Sequence, residues 1–317
     1  MRGFLKTVAR LRELPVAVLI VILIAYFSLR VPGFSEAQGL LDCARQYSCY
    51  AVLAVGLTLV IAAGGIDISV GSVVGFSAVV LGASLSRTSI GLAGACALGI
   101  ATGAAFGLFN GTAVARLGLQ PVVVTLSTMA GARGLGYVVA GAGVSSISLP
   151  ARAEPLVQAA YTSSAPLVLA VLAAAAASVA LTRTGFGRSV LAIGGNENAA
   201  RLSGIDVAKV KTTVYLLSGT LAGLAGVTTA AMMSTATTDA GLGYEFEAIT
   251  AVLLGGTSIA GGEATVVGSV LGVAAAATIS RGFGLMGLSD LWRMMCLGLM
   301  LIASVIMDRA RRRVLAR

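Results

Sequence analysis

The stretch VIAAGGIDISVGSVVG, residues 60–75, decides how this chain folds. Apolar runs enter and leave it, and the acid Asp67 stands just after the glycine pair Gly64-Gly65. A glycine there can end a helix in the left-handed conformation, and Asp67 or Ser69 can accept amide hydrogens at the start of the next helix. The alternative is that Asp67 lines a polar path, because a charge at the centre of a bilayer costs about 2.5–3.5 kcal/mol and needs a local reason.

The composition places this stretch in a membrane protein. Of the 317 residues, 57% are apolar and only 11% are charged, and the 41 glycines are spread through the apolar runs. Glycine makes up about 7% of an average protein, and it is nearly twice as frequent here. Small residues let membrane helices approach closely, and lipid requires every backbone polar group to be bonded internally. We therefore predict an all-α fold, a polytopic bundle of membrane helices.

Ten apolar segments are candidates for membrane spans, since a span needs about 20 apolar residues. The third, eighth and ninth are short and flanked by glycine, which is typical of broken or tilted helices. Residues 1–29 resemble a signal peptide, but no A-x-A cleavage site follows, so we interpret the apolar run as an uncleaved first span. The approximate bounds of the ten segments are 14–30, 47–63, 70–86, 90–110, 121–141, 165–182, 212–233, 246–260, 265–281 and 290–307.

The distribution of Lys and Arg predicts the orientation of these spans. With the N-terminus in the cytoplasm, fifteen of the 22 basic residues fall in cytoplasmic segments and five in outward ones, while Arg133 and Arg293 fall within spans. This bias places both termini in the cytoplasm and requires an even number of spans, which eight or twelve would satisfy as well as ten. The net charge of +9 then reflects topology, and we expect no nucleic-acid partner.

The internal segment 182–212 is polar and contains five basic residues. Within it, NENAARLSG (196–204) predicts a short helix, with a cap, an acid at its start, a base at its end and a glycine stop. Those positions are filled by Asn196, Glu197, Arg201 and Gly204. A small apolar face comprises Ala199, Ala200, Leu202 and Ile205. The segment is either a docking helix for a cytoplasmic partner or a surface loop that only balances charge.

Several polar residues lie within the fourth and fifth predicted spans: Asn110, Thr125, Ser127, Thr128 and Arg133. Hydroxyl groups in membrane helices usually bond their own backbone or a neighbouring helix, and the alternative is that they line a polar path. The arginine is harder to place, because it needs a partner, a route to the interface or a wet cavity.

Recognisable catalytic and cofactor motifs are absent from the sequence. It has no His, no GxxxxGK[ST] phosphate loop, no GxSxG or HExxH motif, and its four Cys show no CxxC spacing. We therefore expect this chain to bind no metal and no cofactor, to hydrolyse no ATP itself, and not to be an enzyme.

Four motifs run in order through most of the chain. They are GGIDISVGS (64–72), NG with PVVVTLSTMAGARGL (110–111 and 121–135), AIGGNENAARLSGI (192–205) and GYEFEAITAVLLGGTSIAGG (243–262). Together they resemble one family, the inner-membrane permeases of bacterial sugar ABC importers of the ribose, xylose and galactose type.

The resemblance implies one transmembrane permease domain over 1–317, with about ten helices and a fold similar to that of the vitamin B12 importer permease. It implies that the cytoplasmic loop 182–212 couples the chain to a separate ABC ATPase that binds ATP and Mg²⁺. Further implied partners are a periplasmic sugar-binding protein and a second permease subunit, identical or related, in the bacterial inner membrane. The chain would form the path for a monosaccharide or related polyol.

The candidate residues then fall into two groups. The ATPase-coupling group comprises Asn196, Glu197, Ala199, Ala200, Arg201, Leu202 and Gly204. The group in the path or at the helix break comprises Gly64, Gly65, Asp67, Ser69, Asn110, Thr125, Thr128 and Arg133. A different reading is a secondary transporter of a small polar solute, driven by an ion gradient, with Asp67 and Arg133 as coupling groups and no ATPase.

Overall fold

The computed structural model describes the backbone of residues 13–141 and 144–316, and side chains up to 309. The basic segment 1–12, which contributes to the predicted orientation, lies outside the described residues. Two short strands, β1 (Ser146–Ser148) and β2 (Thr235–Thr237), accompany the helices. The helices are α1 (Leu14–Arg30), α2 (Ala37–Ala62), α3 (Val70–Arg87), α4 (Leu92–Ala115), α5 (Pro121–Ala140), α6 (Glu154–Thr162), α7 (Ala165–Arg183), α8 (Gly185–Gly195), α9 (Glu197–Leu202), α10 (Val207–Met233), α11 (Tyr244–Leu254), α12 (Val266–Leu285) and α13 (Asp290–Ala316).

The all-α membrane bundle predicted from composition is confirmed. Within the described residues, eight helices are long and apolar enough to cross a membrane: α2, α3, α4, α5, α7, α10, α12 and the Asp290–Arg309 part of α13. The first predicted span corresponds to the shorter α1, and the eighth to α11, which has 11 residues. At 1.5 Å per residue α11 is about 16 Å long, roughly half the hydrocarbon thickness. The count of ten spans stays a prediction.

Two helix starts differ from the predicted spans. The second span was expected from residue 47, but α2 begins at Ala37, and its extra turns carry the pair of Asp42 and Arg45. The seventh was expected from residue 212, but α10 begins at Val207, where Asp206 accepts the amide hydrogen of Lys209. Both helices extend beyond the apolar zone, because polar residues end a hydropathy pattern without ending a helix.

The core of the bundle forms around α2 and α10. The contact between α10 and α4 is made of glycines, so the two backbones touch directly. A methyl group on Gly219 would overlap the carbonyl oxygen of Gly103 and lie 2.7 Å from the Cα of Gly107. Because the residues at this crossing are small, the two helices pack through their backbones and not through side chains, as is typical of membrane helix pairs.

The predicted break at the glycine pair lies before the third span, and α3 itself is a continuous 18-residue helix, not a broken or tilted one. Helix α2 ends at Ala62, and Gly64 follows with a φ of +78°. The chain then turns back into the bundle, where Asp67 lies beside Ser218. Ser218 is about 16 Å along α10 from its start, at 1.5 Å per residue. Helix α3 therefore begins inside the bundle.

The eighth span is a short helix, because α11 ends at Leu254, and like α3 it begins inside the bundle. Beyond α10, the chain forms β2, which pairs antiparallel with β1 through Ile147 and Ala236. It then runs along α3, where a methyl group on Gly71 would overlap the carbonyl oxygen of Gly241. The start of α11 thus lies next to the start of α3, in the interior. The ninth span, also expected to be irregular, is instead the continuous 20-residue helix α12.

Candidate functional site

Asp67 organises the break between α2 and α3. Its side chain is only 1% exposed. Oδ1 accepts the Ser69 amide hydrogen at 3.0 Å and the Ser69 hydroxyl at 2.6 Å, and Oδ2 accepts the Ser218 hydroxyl at 3.4 Å. This is an Asx-turn, in which the aspartate side chain accepts the backbone amide hydrogen of the residue two positions later. Ser69 occupies the N-cap position of α3 and makes no side-chain capping bond to that helix within the described chain.

A buried polar network continues from this turn into two further helices. The side-chain amide of Asn110 on α4 donates to the Ser69 hydroxyl at 2.9 Å. The hydroxyl of Thr128 on α5 donates to Oδ1 of Asn110 at 2.5 Å. We call Asp67, Ser69, Asn110, Thr128 and Ser218 the Asp67 network. It joins the break, α4, α5 and α10 in the middle of the bundle, where buried polar groups need partners.

Thr125 lies beside this network and bonds chiefly within its own helix. Its hydroxyl donates to the carbonyl of Pro121 at 3.0 Å and lies 3.4 Å from the carbonyl of Ile66. The hydroxyl of Tyr215, on α10, lies 3.5 Å from the same carbonyl. The backbone of the break is therefore held from two sides.

Arg133 has partners, but the structure places it outside the Asp67 network. Its guanidinium donates to the carbonyls of Thr238 at 2.6 Å and Ala240 at 3.2 Å. One helical turn further on, the Tyr137 hydroxyl donates to Asp239 at 2.8 Å. These contacts attach the segment after β2 to α5 and so position the start of α11.

A second buried polar cluster was missed from the sequence. Glu247 on α11, 6% exposed, forms an ion pair with Arg293 on α13 at 2.9 Å. The rings of Tyr50 and Tyr244 lie beside it, with centroids 4.3 Å apart, and Tyr47 stacks on Tyr50 at 4.9 Å. The sequence did contain a signal for this cluster, because Glu247 and Arg293 lie in two different predicted spans. Charged residues within a membrane usually pair with each other.

The segment 196–204 forms the short helix that its capping residues predict. Oδ1 of Asn196 accepts the amide hydrogen of Ala199 at 3.0 Å, and Gly204 has a φ of +82°. Glu197 bonds Arg201 at 3.0 Å and Lys211, on α10, at 2.5 Å. The hydrogen bond from Lys211 lowers the pKa of the Glu197 carboxyl below its ordinary value. This bond also fastens α9 to the start of α10.

The apolar face expected on α9 is divided in the structure. Ala200 is buried and packs with Ile193 and Val207, so it attaches α9 to its own chain. Leu202 is 89% exposed, and Ala199 is exposed as well. The interpretation of Ala200 as part of an outward face is therefore wrong, because the return of α10 covers that side. Leu202 and Ala199 remain the apolar residues available to a partner.

Comparison with known proteins identifies the chain. The family model described as "Branched-chain amino acid transport system / permease component" matches residues 39–305. The chain belongs to this permease family. The permease is 35% identical to the ribose import permease protein RbsC of Escherichia coli K12 over 309 residues, which is 96% of both chains. No solved structure matches it.

Further relatives are named for other sugars. The L-arabinose ABC transporter permease protein AraH of Azospirillum brasilense is 32% identical, over 94% of this chain and 87% of its own. The fructose import permease protein FruG of Bifidobacterium longum is 34% identical, over 82% and 79%. The resemblance seen in the four motifs is confirmed. The protein is a transport permease component and not an enzyme, and its apolar helices make it a multi-pass inner-membrane protein.

Proposed function

We propose that the permease forms the path for a monosaccharide, or a related polyol, in an ATP-driven importer. The observation that carries this is its 35% identity to a ribose import permease over 96% of both chains. The family model is described for amino acids, but the printed names of the similar relatives are for ribose, arabinose and fructose. The Asp67 network, made mainly of hydroxyl and amide groups, is buried and its groups bond one another, so we assign it to the helix break.

The partners follow from this role. A cytoplasmic ABC ATPase holds ATP and Mg²⁺, since the permease itself has no phosphate loop. A periplasmic sugar-binding protein delivers the substrate, and a second permease subunit, identical or related, completes the path. The whole chain, 1–317, acts as one transmembrane domain of about ten helices with both termini in the cytoplasm. We expect a fold like that of the vitamin B12 importer permease.

The cytoplasmic loop 182–212 couples this domain to the ATPase. Helix α9 is its docking element, and Leu202 and Ala199 are its exposed apolar contacts. Because Glu197 bonds Lys211 and Ala200 packs on Val207, α9 moves together with the start of α10. Closure of the ATPase on ATP would thereby rock the two permease subunits between outward-facing and inward-facing states.

The first experiment is a pull-down from native membrane. The tagged permease is solubilised gently, and co-purifying chains are identified by mass spectrometry. We expect an ABC ATPase in an equal or half-equal ratio to the permease. A preparation without ATPase that still moves solute in liposomes would overturn the proposal and favour the transporter driven by an ion gradient.

The docking role of α9 is tested by placing a charge on its exposed apolar face. Leu202→Glu should reduce ATPase co-purification while the permease still inserts. Leu117→Glu is the matched control, because Leu117 is 69% exposed in another loop predicted to be cytoplasmic. Arg201→Glu combined with Ala200→Asp is a less specific test, since Ala200 is buried. Equal ATPase binding by wild type, Leu202→Glu and Leu117→Glu would exclude docking through α9.

A further inference from the structure

Three connections of the permease meet backbone to backbone next to the docking helix. They are the turn after α2, the end of α8 and the connection between α11 and α12. The amide of Gly262 donates to the carbonyl of Ala62 at 3.0 Å, across 200 positions of sequence. The Cα of Gly194 lies 3.7 Å from where a Cβ on Gly64 would stand. We call Ala62, Gly64, Gly194 and Gly262 the glycine joint.

Gly194 is at the centre of this joint and has no room for a side chain. A methyl group there would overlap the carbonyl oxygen of Ala62 and the amide nitrogen of Gly262, both of them backbone atoms. A backbone atom cannot rotate away as a flexible side chain can, so the overlap would push the connections apart. At the next residue, Gly195, a Cβ would meet nothing within 4 Å. Of these two adjacent glycines, only Gly194 lacks room for a Cβ.

Each part of the joint leads within three residues to a helix cap or to the Asp67 network. Gly194 precedes Asn196, the cap of α9, by two residues, and Ile193 packs on Ala200 of α9. Gly64 precedes Asp67, the centre of the Asp67 network, by three residues. On the third side, Gly262 leads to Thr265, which caps the start of α12.

We propose that Gly194 is a positioning residue for transport. Its direct backbone contact with Ala62 and Gly262 transmits displacement of α9 to the break at Asp67 and to the connection between α11 and α12. This inference rests on the proposed function, in which α9 docks on an ATPase. A backbone contact suits transmission, because it contains no side chain whose rotamer change could absorb the displacement. Closely packed interiors transmit strain for the same reason.

The test compares two adjacent alanine substitutions in the complete importer. Gly194→Ala and Gly195→Ala are assembled with the ATPase and the sugar-binding protein in liposomes, and sugar uptake is measured per ATP hydrolysed. We expect both variants to insert and to bind the ATPase. We expect Gly195→Ala to match wild type and Gly194→Ala to lose about fivefold or more in uptake per ATP, a typical size for coupling between sites.

Two results would overturn the inference. One is Gly194→Ala with uptake per ATP equal to that of Gly195→Ala. The other is a loss of uptake that follows a loss of ATPase binding in proportion, which would make Gly194 a docking residue only. Failure of the proposed function is distinguishable from both, because wild type itself would then bind no ATPase.

A measurement on wild type covers the case in which Gly194→Ala does not insert. Hydrogen exchange of the Gly262 amide reports on its bond to Ala62, so its protection should change when ATP is added to the complete importer. The permease without ATPase is the control and should show no change. Unaltered protection in the importer while uptake proceeds would contradict transmission through the joint.

Discussion

The side-chain amide of Asn110 donates to the hydroxyl of Ser69 across 2.9 Å, although 41 positions separate the two residues. Ser69 in turn donates to Asp67, and Asn110 accepts from Thr128. This chain of bonds ties the break before α3 to α4 and α5.

The bond between Thr128 and Asn110 should contribute measurably to stability. We expect Asn110→Ala and Thr128→Val each to destabilise the permease, and the double variant to lose less than the sum. The coupling between the two should be about 0.6 kcal/mol and no more than about 1.7 kcal/mol, the average and the maximum found for bonds between membrane helices. Chemical unfolding in detergent measures it. Ser127→Ala is the matched control, because the exposed Ser127 hydroxyl bonds its own helix at Val123. Strict additivity would show that the bond is not made.

The two interpretations of Asp67 are separated by two substitutions. Asp67→Ala should destabilise by about 1–3 kcal/mol and reduce sugar uptake, since the Ser69 and Ser218 donors lose their acceptor. Asp67→Asn should preserve uptake, because its carbonyl still accepts from Ser69 and its amide can donate to the Ser218 hydroxyl. Asp42→Ala, at an exposed position, is the control for removing a carboxylate. Loss of uptake in Asp67→Asn without loss of stability would favour a direct role of the charge in the path.

Removing one charge of the Glu247–Arg293 ion pair should destabilise the permease more than removing both. Arg293→Met leaves a buried carboxylate without its charge partner, which we expect to cost up to about 3–5 kcal/mol, less to the extent that solvent reaches Arg293. Combining it with Glu247→Met should recover much of that loss. Thermal unfolding of the purified permease measures both variants. A double variant less stable than Arg293→Met alone would show that the two charges do not act on each other.

The attachment of α9 should weaken in acid. The pKa of Glu197 is lowered in the folded state, chiefly by its hydrogen bond from Lys211, so its stabilising contribution is present above the ordinary value of 4.5. That contribution is lost as pH falls through the lower folded value. The difference in stability between wild type and Glu197→Gln should therefore be full at neutral pH and vanish in acid. A difference independent of pH would show that the carboxylate charge is not the cause.

Local features could be predicted from the sequence because neighbouring residues produce them. The glycine pair ends α2, with Gly64 left-handed, and Asn196 caps α9 before Gly204 stops it. These depend on backbone sterics and on amides a few residues away. The apolar runs likewise predicted the membrane bundle, since lipid leaves few alternatives to a helix.

Contacts between distant residues could not be predicted in the same way. Ser218 gave no signal as a partner of Asp67, since it lies 151 positions away in a helix rich in small residues. Whether Ala200 is buried or exposed depends on where α10 packs against α9. The spacing of apolar residues along α9 does not determine that position. The strands β1 and β2 are three residues each, too short to produce an alternating pattern.

The sequence by itself determined the membrane class, the glycine turn that ends α2, the short capped helix in the loop and the family. All of these follow from hydropathy, local backbone chemistry and motifs in chain order. Only the tertiary structure decided which polar groups meet: Asp67 with Ser218, Glu247 with Arg293, and the Gly262 amide with the Ala62 carbonyl. The physical reason is that burial forces a polar group to find a partner, but the packing of the helices determines which partner is within reach.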